Sequence, residues 1–150
     1  MAAPNATLSR TPITTFDAPD AMRDTLALVA RILLAFMFVT SGWDKLIGFS
    51  GTAGFIASRG LPLPTLATAI AVICELGIGL MLLVGFKARW AGIVLAVFTV
   101  AAGILFHDYW NMSGADVMAN KINFMKNISI AGGMLAIAAF GPGRYSVDRR

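Results

Sequence analysis

Charge, cysteine and histidine are all scarce in this chain. Only 13% of its 150 residues are charged, against about 25% in an ordinary soluble domain. The deficit runs through most of the length, which excludes a water-covered globule and exceeds what one signal-like segment would cause. A single cysteine, Cys74, excludes an internal disulfide and a CxxC redox pair. One histidine and scattered carboxylates give no recognised metal-ligand spacing. No glycine-rich loop is present to cradle a phosphate: Gly77 and Gly79 lie inside an apolar run and read as helix-packing residues. The net charge of +4 lies at the ends of apolar runs rather than along a basic stripe, so nucleic acid is excluded as a partner.

What the chain has is apolar length. Hydrophobic residues make up 57% of it, and a spanning helix needs roughly 20 of them in a row. Four runs qualify: residues 25–43, 65–86, 88–106 and 122–140. The fourth is the most interrupted, since it contains Lys126 and its unbroken core is only 128–140. Residues 25–43 read as an uncleaved membrane helix, because a long polar segment precedes them and the run is long for a signal peptide. The expected fold is therefore an all-α integral membrane protein, an antiparallel bundle of four transmembrane helices. Three divisions follow: a polar, flexible N-terminal tail over 1–24, the transmembrane domain over 25–141, and a basic C-terminal tail over 142–150.

Between the first two spans, residues 45–59 place Leu46, Phe49, Ala53 and Ile56 at helical spacing, with serine and threonine elsewhere. This pattern predicts a short amphipathic helix lying in the interface. Gly60, Pro62 and Pro64 end it. Lys87 marks a turn so short that the second and third spans must form an antiparallel hairpin. Basic residues then set the orientation. Arg10, Arg23, Lys87, Arg89, Arg144, Arg149 and Arg150 fall on one side, and Lys45, Arg59, Lys121 and Lys126 on the other. The positive-inside tendency places both termini in the cytoplasm.

Glu75 lies near the centre of the second span, where an ionised carboxylate is costly without a partner or water. Ala71 and Gly79, one turn to either side, let a neighbouring helix approach, so the side chain is expected to point into the bundle. Arg31 has the same setting between Ala27 and Ala35. Its expected offset from Glu75 is about one turn, so an intramembrane Glu75–Arg31 pair is predicted. Such a pair either fixes helix register or serves a proton relay, quinone site or other ligand site. A second polar cluster is expected at the outer side: His107, Asp44, Lys45, Asn123, Lys126 and Asn127. Asn123 and Asn127 share one helix face, and the imidazole could pass protons or bind a quinone head group. No catalytic residue is identifiable. Cys74 reads as a packed small hydrophobe.

The ordered set of elements resembles the DoxX family of small bacterial four-helix membrane proteins. It comprises Arg31, Ser41-Gly42-Trp43-Asp44-Lys45-Leu46, Gly60-Leu61-Pro62, Glu75-Leu76-Gly77, Gly85-Phe86-Lys87-Ala88-Arg89, His107, Lys126-Asn127 and the segment from Gly141 to Asp148. The resemblance covers about residues 25–148. It implies a bacterial cytoplasmic (inner) membrane location and the fold already derived. The family takes its name from a subunit associated with a thiosulfate:quinone oxidoreductase. That implies a subunit supporting a redox partner, with quinone as the candidate cofactor, rather than an enzyme acting alone. The single cysteine removes any dithiol mechanism. Two other functions compete: a proton-coupled transporter or channel, which four helices would form only as a homo-oligomer, and a structural membrane protein without turnover.

Overall fold

The computed structural model describes residues 19–149. The expectations placed on residues 1–18 and on Arg150 lie outside that range. The described chain has five α-helices: α1 Asp20–Ile47, α2 Phe49–Ser58, α3 Pro64–Val84, α4 Ala88–Phe106 and α5 Asp116–Phe140. A short 3-10 turn, Tyr109–Asn111, precedes α5, and there is no strand among the described residues. Helices α1, α3, α4 and α5 are each long and apolar enough to cross a bilayer, and α2 is the short helix expected between the first two spans.

The helices begin and end where local chemistry dictates. The Pro19 carbonyl accepts from the Met22 and Arg23 amides, and Asp20 opposes the positive end of the α1 dipole. The helix therefore starts five residues earlier than the apolar run. For the same reason α5 begins at Asp116, six residues before its apolar run, and Asn120 donates to the Asp116 carbonyl. Gly85 ends α3 with φ +74°, in the left-handed region that glycine tolerates best. Lys87 also adopts positive φ, and α4 starts at once, which closes the expected hairpin.

Helix α1 packs on α3 and α5, and α4 packs on the same two. Helices α1 and α4 thus lie on one diagonal of the bundle and α3 and α5 on the other. Neither diagonal pair brings its backbones together. The register of α1 against α3 is set by a close approach. A Cβ on Gly42 would lie 2.9 Å from the Glu75 carbonyl carbon, so only glycine fits there.

The two ends of the bundle differ. Near the chain termini, Ala35, Phe38, Leu82, Leu95, Ala131 and Met134 form a solid core. The segment after α5 folds back over this end. The Val147 and Asp148 amides donate to the carbonyls of Val84 and Gly85, both at 3.0 Å. The Asp148 carboxylate accepts from the Lys87 and Ala88 amides, also at 3.0 Å, and so caps α4. Asp24 accepts from the Arg144 amide at 2.8 Å, which places both ends of the described chain on one side of the bundle. The opposite half is hollow.

Candidate functional site

A cavity of about 960 Å³ occupies the half of the bundle away from the termini. Helix α2 walls it on one side. Phe55 of α2 stacks on Phe106 at the end of α4, with ring centroids 5.9 Å apart. Arg59, just past α2, donates to the Phe106 carbonyl at 2.5 Å and lies 3.5 Å from Asp108. The helix expected in the interface is therefore also a wall of an internal chamber.

Most of the cavity wall is apolar, and its polar groups gather at two depths. At the inner end, Lys45 Nζ lies 2.7 Å from Glu75 Oε2 and donates to Ser41 Oγ at 2.9 Å. Thr99 of α4 and Asn127 of α5 line the same chamber. Each of the four spanning helices thus supplies polar side chains to it. Nearer the mouth are His107, Asn120, Asp116 and Arg59, with His107 Nδ1 3.1 Å from Asn120 Oδ1. Glu75 sits in a π-helical turn of α3, Ile73–Ile78. Such turns are rare and frequently occur at functional sites.

Glu75 turns into the bundle and is 8% exposed, but the Glu75–Arg31 pair is not formed. The glycine contact explains why. Gly42 is level with Glu75, and Arg31 precedes Gly42 by eleven residues, about 16 Å along a helix axis. The sequence-based estimate of one turn took the two apolar runs as level with each other, without this stagger. Arg31 instead lies beside Gly85, in space that a side chain there would fill, and donates to the Tyr145 carbonyl of the returning tail. That one bond ties α1 to the tail, while Nε and Nη1 of Arg31 are buried without a hydrogen-bond partner.

The outer cluster divides. Lys45, His107 and Asn127 reach the cavity. Asp44 is exposed, and Asn123 is half-buried without lining the chamber. Lys126 points outward over a shallow groove with Ile122, Met125, Ser129 and Ile130. Ser41, Arg59, Thr99, Asp116 and Asn120 were not singled out as site residues from the sequence. A signal for two of them existed. The buried face of α1 runs Arg31, Ala35, Phe38, Gly42, and its 4-3-4 spacing continues to Lys45, with Ser41 one turn before it. Thr99 is a polar residue on the buried face of an otherwise apolar run.

The DoxX family model matches residues 26–108, more than half of the chain. This protein belongs to the DoxX family. Within the matched region lie Ser41, Lys45, Arg59, Glu75, Thr99 and His107; Asn120, Asn127 and the returning tail lie beyond it. Among DoxX relatives, the chain is 42% identical to the inner membrane protein YphA of Escherichia coli over 130 residues, covering 87% of this chain and 93% of that protein. It is 38% identical to the inner membrane protein YqjF of Escherichia coli over 128 residues, covering 85% and 93%. A more distant similarity, 26% over 131 residues, links it to the ER-derived vesicles protein ERV29 of Saccharomyces cerevisiae, covering 87% of this chain and 35% of that one. No solved structure matches.

Proposed function

We propose that this protein is an inner-membrane subunit that binds the head group of a quinone in its cavity and serves a redox partner. The observation that carries this reading is the Lys45–Glu75 pair, 2.7 Å apart at the inner end of a largely apolar chamber. A buried ion pair is a poor stabiliser, because desolvation offsets most of its attraction. Its placement facing open space is better explained by a ligand. Lys45 and Ser41 offer hydrogen-bond donors to a ring carbonyl, and Glu75 offers an acceptor to a ring hydroxyl. The apolar wall suits the ring and the first part of its tail. A bound quinone would supply two-electron, two-proton redox chemistry. The residues of this chain would bind it, orient it and exclude water. The solid core between the cavity and the terminal end favours a one-sided site over a through-going transport path. The inner-membrane location follows the relatives, and the termini are assigned to the cytoplasm on the distribution of basic residues.

Extraction into native lipid nanodiscs followed by mass spectrometry tests the reading. Quinone should co-purify in fixed ratio to the protein and fall to the level of empty nanodiscs in a Lys45→Met, Glu75→Gln double variant. Wild-type quinone content no higher than that of empty nanodiscs would overturn it. An impermeant thiol reagent tests the orientation in a Cys74→Ala background. Labelling of a cysteine introduced at Asn5 from outside the cell would reverse the assignment.

A further inference from the structure

We infer that the cavity recognises a flat ring by two opposite edges, with Thr99 and Asn127 forming the second edge. The proposal rests on the quinone-site reading above and specifies which ring oxygens are read. Lys45 and Glu75 come from the α1–α3 side of the bundle. Thr99 and Asn127 come from the α4–α5 side. Because α1 and α4 are diagonal, as are α3 and α5, these pairs sit on opposing walls with the chamber between them.

Thr99 carries the argument. Thr25, Thr40, Thr52 and Thr68 each return their hydroxyl to the carbonyl four residues earlier. This is the usual resting place of a threonine hydroxyl in a helix. Thr99 does not. Its residue is 3% exposed and its Oγ1 has no hydrogen-bond partner. A buried hydroxyl left unpaired is unfavourable, and the residue that carries it borders the cavity. Asn127 lies close by on the facing helix: a Cβ built on Gly103, one turn along α4 from Thr99, would be 3.2 Å from Asn127 Nδ2. One wall therefore presents a charged donor–acceptor pair and the other a neutral hydroxyl and amide. A ring with oxygens at opposite edges satisfies both. A ring with one oxygen satisfies only the charged wall, where hydrogen bonds are stronger.

Binding of two ring compounds to the protein in nanodiscs, by quenching of tryptophan fluorescence, tests this. Menadione carries carbonyls at opposite edges, and tetralone is a similar fused ring with one carbonyl. Thr99→Val keeps shape and removes the hydroxyl. It should weaken menadione about fivefold to tenfold and leave tetralone within about twofold. Thr99→Ser should retain wild-type affinity for both, which separates loss of the hydroxyl from disturbed packing. Lys45→Met should weaken both ligands. If Thr99→Val leaves menadione unchanged while Lys45→Met weakens it, the second edge is overturned and the quinone site stands. Equal losses of both ligands in Thr99→Val would overturn the second edge as a packing effect. If the wild type binds neither ligand saturably, the quinone site fails and this inference with it.

Discussion

The two cations on the buried face of α1, Arg31 and Lys45, show how one helix can do two jobs. Both lie on the same face of α1, fourteen residues apart. Arg31 is 1% exposed, packed against Gly85 and Ser146, and bonded to a carbonyl of the returning tail. Lys45 faces a chamber and meets a carboxylate from another helix. Around Arg31 the polar groups tie the chain to itself: Asp148 caps α4, Arg89 donates to the Ala138 and Ala139 carbonyls, and Asp24 holds the Arg144 amide. Around Lys45 they border empty volume. A buried charge in a membrane helix is thus not by itself a sign of a ligand site. What matters is whether the space beside it is filled.

Three variants sharpen this contrast. Arg31→Met should have the largest effect on stability, about 2–3 kcal/mol, because it removes a charged hydrogen bond to the Tyr145 carbonyl and frees the tail. Thermal unfolding in detergent reads the loss, and quinone content should not change. Loss of quinone in this variant would erase the division between the two halves. Glu75→Gln is intermediate. Deleting one member of a fully buried pair costs about 3–5 kcal/mol, but the Lys45 side chain is 29% exposed and can reach water, so about 1–2 kcal/mol is expected. Adding Lys45→Met should recover most of that loss while quinone stays absent; additive destabilisation would show the pair to be structural. Asp148→Ala should be smallest, about 1 kcal/mol for a lost helix cap, read in the same melts and again without change in ligand content.

The membrane class, the four spans, the intervening short helix and the inward direction of Glu75 were legible because they depend on local pattern. Apolar run length gives the spans, and small residues one turn away give the face. The partner of Glu75 was not legible, because axial stagger between helices is not a local property. It turns on Gly42 meeting the Glu75–Leu76 backbone. The π-helical turn at Ile73–Ile78 has no compositional mark in the sequence. The returning tail was hidden differently. The sequence marked it only as a basic tail, whereas its docking uses backbone amides, the carboxylates of Asp24 and Asp148, and the guanidinium of Arg31.

That docking has a consequence in time. Arg31 enters the membrane early in synthesis, yet the carbonyl it binds belongs to Tyr145, 114 residues later. At about 5–20 residues per second, the interval is on the order of ten seconds. Throughout it, the amides that open α4 await Asp148, and the guanidinium of Arg31 awaits the tail. The terminal end of the bundle can be sealed only after residues 145–148 have been made. A chain cut short before Tyr145 would keep all four spans and lack the seal that joins their ends.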